Sequence, residues 1–177
     1  QKTAYEIHER LVGSEMCIRD RSIFIENEYP TMEIRTITSI QTFEIRHPIL
    51  RAGQPLESCK FIGDDDDETL HFGAYDKDNL TGVLSCYVNN GTHFTLGKNY
   101  QIRGVAVVEK LQQHGIGKVL MLHAEKALKA KGCDHVWLNS RVIAKSFYTK
   151  LDYLEIGTVF EVPIIGVHQS FYKKLKR

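Results

Sequence analysis

Gly115 and Gly117 stand two residues apart in the run Gln112-Gln113-His114-Gly115-Ile116-Gly117-Lys118, directly before a stretch of helical period. Residue types in that order can hold an anion. A helix start carries unpaired N–H groups and the positive end of a dipole. Glycine lets such a backbone come close to phosphate oxygens. Lys118 adds positive charge where the helix dipole alone disfavours it, and a bound anion would remove that penalty. Two familiar phosphate loops do not fit. In a GxxxxGK[ST] reading, Gln112 replaces the first glycine and Val119 the magnesium-holding hydroxyl. In a GxGxxG reading, Leu120 occupies the third position.

The elements around this turn follow from the hydrophobic pattern. Tyr100–Val108 reads as a strong strand with a bulge marked by Gly104. Gly115–Lys131 has apolar residues at helical spacing and stops at Gly132. Upstream, Met32–Ile37 alternates as a half-buried strand. Thr38 or Ser39 can cap a helix over Ile40–Leu50 that ends or kinks near Pro48. Arg51–Asp67 is a loop closing in the acidic run Asp64–Glu68. Thr69–Tyr75 and Leu80–Val88 form a hairpin across Asp76–Asn79. Downstream come a short strand His135–Asn139 and a helix Val142–Leu151 with Ile143, Phe147 and Leu151 on one face. Two final strands follow, Tyr153–Glu161 and Val167–Tyr172.

The pattern Gln/Arg-x-x-Gly-x-Gly, here Gln112–Gly117, follows an apolar strand. It precedes a helix, a short strand and the run Ala144-Lys145-Ser146-Phe147-Tyr148-Thr149-Lys150-Leu151-Asp152-Tyr153. This arrangement resembles the GNAT superfamily of acetyl-CoA-dependent N-acetyltransferases over residues 32–177. The last run is similar to the family's A-x-x-F-Y-x-K-x-G-F signature, with Asp152 where glycine is usual. The resemblance implies one α/β domain: a mixed, mostly antiparallel sheet of about seven strands, flanked by helices and splayed at strands four and five. It implies that Val105, Ala106 and Val107 hold the pantetheine arm by strand addition. It implies that Gln112, Gln113, His114, Gly115, Ile116, Gly117 and Lys118 cradle the pyrophosphate, and that Tyr148 is the acid for the departing thiolate. Arg141 stands where many members carry a CoA-contacting asparagine, so Asn139 is the substitute contact. Arg46, Arg51, Gln54 and His168 fall where such enzymes shape the acceptor site. The implied reaction is direct attack of a primary amine on acetyl-CoA in a ternary complex, with no metal. Glu109, His71, His93 and His168 are candidate bases without a spacing to choose between them. A non-catalytic acyl-CoA-binding or sensing module on the same scaffold is the alternative.

Composition narrows the rest. With 23 basic and 22 acidic residues in 177, net charge is +1, which argues against a nucleic-acid coat. No apolar run nears the roughly 18 residues of a membrane span. Cys17, Cys59, Cys86 and Cys133 are scattered, as suits free thiols in a reducing, cytoplasmic setting. Cys86, Cys133 and Trp137 read as core. The expected partner is a small-molecule or peptide amine, with no nucleic acid or membrane and with a homodimer open. The acidic run reads as a solvated loop; its sharper reading is a rim that attracts a cationic amine or polyamine. Residues 1–31, including Cys17, lack a signal-peptide pattern. They are expected to be a non-native or disordered leader, because YEIHERLVGSEMCIRDR resembles translated adaptor sequence.

Overall fold

A computed structural model describes residues 32–163 and 165–175. The expected leader, residues 1–31, lies outside them. Among the described residues seven strands form one sheet in the order β1-β2-β3-β4-β5-β7-β6. They are β1 (Met32–Thr36), β2 (Leu70–Asp76), β3 (Asn79–Val88), β4 (Asn99–Val107), β5 (His135–Arg141), β6 (Leu154–Val162) and β7 (Gly166–Lys174). Only β4 and β5 run parallel; the other neighbours are antiparallel. The expected mixed sheet is therefore present, with β5 two residues longer than its apolar run suggested.

Among the described residues three α-helices flank the sheet: α1 (Phe43–Leu50), α2 (Ile116–Ala130) and α3 (Lys145–Thr149). A reciprocal cap opens the turn before α1. The Thr38 N–H donates to Gln41 Oε1 at 2.8 Å, and the Gln41 N–H to Thr38 Oγ1 at 3.3 Å. Of the two expected caps, Thr38 is the one used; Ser39 makes no side-chain cap bond. The helix runs through Pro48 and stops at Leu50. Helix α2 buries Ile116, Leu120, Met121, Ala124 and Leu128 against Tyr100, Ile102, Val136, Leu138 and Phe171 of the sheet. Burying each such side chain contributes about 1.5–3 kcal/mol, so this face fixes α2 and the turn that starts it.

The expected helix Val142–Leu151 is shorter than its pattern. It begins as a 3-10 turn over Val142–Ala144 and only Lys145–Thr149 is α-helical. Ile143 is 85% exposed, so it does not share the buried face of Leu151. Its end explains Asp152, which adopts φ +63°. The Asp152 N–H bonds to the Thr149 carbonyl and the Tyr153 N–H to that of Tyr148. This left-handed stop favours glycine, and aspartate is among the few side chains that tolerate it. Cys59, Cys86 and Cys133 are buried, as is Trp137, whose indole N–H donates to the Asn89 carbonyl at 2.7 Å.

Candidate active site

The β4–β5 ladder has four rungs, Asn99–His135 to Ile102–Leu138, and then stops. Both strands continue, β4 to Val107 and β5 to Arg141, so they diverge. The cause lies in β4. Gly104 takes φ +64°, and a β-carbon there would lie 3.0 Å from both Arg46 Nε and the Phe61 ring. Glycine is required on both counts. The same residue shifts the β3–β4 register between Ser85–Arg103 and Val83–Ala106, the bulge expected from sequence. A cavity of about 640 Å³ opens in the resulting gap. Gln101–Val105 form one wall, Leu138–Arg141 the other, and Tyr148, Ala144, Phe160 and His168 complete it.

Past β4 the chain makes a 3-10 turn, Glu109–Leu111, and enters the glycine loop. Gln112 Nε2 donates to the Val107 carbonyl at 3.1 Å, tying the loop to the strand end. The His114 Nδ1–H donates to the Gln112 carbonyl at 2.7 Å. Gln113 at φ +65° and Gly115 at φ +83° supply two left-handed residues. The first helical bond is from the Val119 N–H to the Gly115 carbonyl at 3.0 Å. The N–H groups of Ile116, Gly117 and Lys118 therefore precede the helical ladder. Nothing lies within 4 Å of a β-carbon at Gly115, so φ alone selects glycine there. At Gly117 a β-carbon would meet the Phe147 ring at 3.3 Å, so this glycine also lets α3 pack against α2.

Tyr148 is buried, stacked on Phe171 with centroids 5.6 Å apart, and edge-on to Phe147 and Tyr153. Burial pushes its phenol up to about 12. At that value full proton transfer to a thiolate of ordinary pKa near 8.5 is uphill by about 5 kcal/mol. The buried phenol suits hydrogen-bond donation more than proton surrender.

The expected site residues divide by position. Val105, Asn139, Arg51, His168 and Tyr148 line the cleft. Asn139 Oδ1 accepts from Ser170 Oγ at 2.7 Å, and the His168 Nδ1–H donates to the Gly166 carbonyl at 2.8 Å. Ala106 turns its side chain into a second core cluster with Ile45 and Val83. Val107 ends β4, and the Gln112–Lys118 loop lies past it beyond the 3-10 turn; none of them is among the residues that line the cleft.

Two expected acceptor residues lie elsewhere. Gln54 is exposed and its carbonyl accepts from His47 Nε2 at 2.8 Å. Arg46 is fully buried, not a cleft residue. Its Nη1 donates to Asp64 Oδ2 at 2.8 Å and to the Cys59 carbonyl at 2.9 Å; its Nη2 donates to Ser85 Oγ at 2.7 Å. Asp64 is thereby removed from the solvated acidic loop in which its sequence neighbours place it. Its carboxyl is raised by burial, but hydrogen bonds from Arg46, Tyr87 and the Phe61 N–H outweigh that and hold it below the usual range. His71 joins the same buried cluster, bonded to Ser85 Oγ and the Asp64 carbonyl, which removes it as a candidate base at the cleft. Two cleft residues escaped notice: Arg103, masked by an ordinary strand alternation, and Phe61, which no local pattern marks.

A mixed sheet parted between its one parallel pair, with a glycine turn starting the following helix, is the architecture of an acyltransferase. The family model described as Acetyltransferase (GNAT) family matches residues 32–153. The chain belongs to this family and is an acyltransferase enzyme. It is 35% identical over 145 residues to the uncharacterized N-acetyltransferase YitI of Bacillus subtilis (strain 168), covering 82% of this chain and 97% of that one. Solved structures share the fold at lower identity. FeeM, an N-acyl amino acid synthase from uncultured soil microbes, superposes with TM-score 0.68 at 13% identity, covering 82% of this chain and 91% of FeeM. Aminoglycoside 6'-N-acetyltransferase complexed with coenzyme A superposes with TM-score 0.66 at 15% identity, covering 82% and 98%. No helix among the described residues is long and apolar enough to cross a membrane.

Proposed function

We propose that the protein transfers an acetyl group from acetyl-CoA to a primary amine by direct attack in a ternary complex. The observation that carries this is the parting of β4 from β5 beside Tyr148. Beyond Ile102, the β5-facing edge of β4 has no ladder neighbour. Amide groups of a pantetheine arm fit that edge as a short added strand. The N–H groups of Ile116, Gly117 and Lys118, with the Lys118 ammonium, fit a diphosphate. Bound there, acetyl-CoA supplies a thioester whose carbonyl carbon an amine attacks. The backbone of β4 offers N–H groups to the carbonyl oxygen, and the Tyr148 hydroxyl donates to the sulfur as it gains charge. No Asp or Glu is among the described residues that line the cleft. The amine therefore enters as the free base or loses its proton to water or to His168, which lines the cleft.

The test is CoA release measured with acetyl-CoA and a panel of amines, beside calorimetric binding of CoA. Thiol release that depends on amine supports transfer. Binding of CoA with no release from any amine replaces it with the non-catalytic binding module. Absence of CoA binding removes both.

A further inference from the structure

Resting on N-acetyl transfer as the activity, we propose that the acceptor is a primary amine that also bears an anionic group, as an amino acid does. Arg51, Arg103 and Arg141 hold that group.

All three arginines line the cleft, together with His168 and, among the described lining residues, no carboxylate. The fold pairs other arginines with acids: Arg35 with Glu33 at 2.7 Å and Arg46 with Asp64 at 2.8 Å. The cleft arginines have no such partner among the described residues. Arg51 donates to the carbonyls of Leu50 and Ser58, at 3.1 and 3.3 Å. Arg103 donates to the Ile62 carbonyl at 3.4 Å. The guanidinium of Arg141 makes no hydrogen bond or ion pair with a described residue.

Two of these heads are oriented by stacking. Arg103 lies 4.8 Å from the centroid of Phe61 and 5.2 Å from that of Tyr87, and Arg51 lies 5.5 Å from Phe61. A stacked guanidinium keeps its N–H edge open, and that edge matches a carboxylate or phosphate in two-point contact.

The arginines are also on the correct side to serve an acceptor and not the diphosphate. Along β4, Ile102 packs into the α2 core, so Arg103 faces the opposite side with its ladder partner Ser85. Along β5, Leu138 packs into that same core, which puts Arg141 on the opposite side with its partner His168. The glycine loop starts α2. The cationic set therefore stands across the sheet from the phosphate loop.

The acidic run does not offset this charge. Asp64 is spent on Arg46, Asp65 pairs with Lys60 at 2.7 Å, Glu68 pairs with Lys98, and none of the run lines the cleft. Asp66 and Asp67 remain exposed, but outside the cleft lining. Three guanidinium groups also disfavour an ammonium beside them.

The experiment uses the full chain, acetyl-CoA and matched acceptors: a neutral-side-chain amino acid, its amide, a primary amine bearing a phosphate monoester, a polyamine and an aminoglycoside. The expected kcat/KM for the amino acid or the phosphate-bearing amine exceeds that for the amide by about tenfold or more, and the ratio of those two identifies the anion. Arg103→Gln and Arg141→Gln each raise KM for the anionic acceptor by about tenfold while KM for acetyl-CoA stays within about twofold, and Arg141→Lys recovers part of the loss. Thiol release with the amide, polyamine or aminoglycoside as good as with the amino acid overturns the proposal and leaves N-acetyl transfer standing. A rise in KM for acetyl-CoA alone also overturns it, because the arginines would then serve the donor. Failure of every amine to raise thiol release above the amine-free rate removes the activity and the proposal together.

Discussion

Replacing Asp64 by asparagine tests the buried cluster beneath the cleft. The Arg46 and Asp64 side chains are both fully buried and 2.8 Å apart. The substitution keeps the shape but leaves a guanidinium in the core without its counter-charge. Removing one partner of such a pair costs about 3–5 kcal/mol. Arg46 keeps neutral acceptors in the Cys59 carbonyl and Ser85 Oγ, which points to the lower end, about 3 kcal/mol. For a domain of this size that lowers Tm by about 6–12 °C. The carboxyl is held below its unfolded value. Its contribution is therefore full above the unfolded pKa of about 3.9 and is lost as pH falls through the lower, folded pKa. Urea unfolding at neutral pH and through the acid range reads both effects. The gap between parent and Asp64→Asn should be widest at neutral pH and narrow as the carboxyl protonates. A loss below about 1 kcal/mol at neutral pH, or a gap that does not change with acid, would refute the ion pair as the element that anchors Arg46.

Tyr148→Phe should lower kcat by about a hundredfold and leave CoA affinity and Tm nearly unchanged, since the phenyl ring keeps its stacking on Phe171. Because the phenol is pushed up to about 12, kcat should rise with amine deprotonation and show no falling limb below pH about 11 in a pH–rate profile. Gly115→Val should cost about 1–2 kcal/mol from its left-handed φ and raise the Kd for CoA in calorimetry, although open space surrounds the position. Burial raises the Cys59 and Cys86 thiols and pushes Cys133 up to about 11, so in a Cys17→Ser chain an aromatic disulfide reagent at pH 8 should titrate these thiols only after denaturant is added.

The strands were legible where one face is buried: the hairpin Leu70–Val88, the apolar run of β4 and the amphipathic α2 all follow local periodicity. Gly104 and Gly115 also declared themselves, because each must adopt a backbone that other residues resist. What stayed hidden depends on partners remote in the chain. Arg46 reads as a helix-end charge until Asp64, Ser85 and Tyr87 converge on it. Asp64 reads as one of four like aspartates, and only its place under Phe61 singles it out. The cationic lining of the cleft was equally obscure, since Arg51, Arg103 and Arg141 lie on three separate segments and come to line one cavity only once the sheet is folded.

The four-rung junction between β4 and β5 makes the sheet two leaves, β1–β4 and β5–β7, bound along a short spine. Helices α1 and α2 both rest on the first leaf. A ligand slotted between the open margins acts as a removable eighth member of the sheet, bridging leaves that otherwise touch only at the spine and through the core behind it. Amide exchange at Val105 and Val107 should therefore be far quicker than at Tyr100 and Ile102 in the free enzyme, and should slow once that slot is filled.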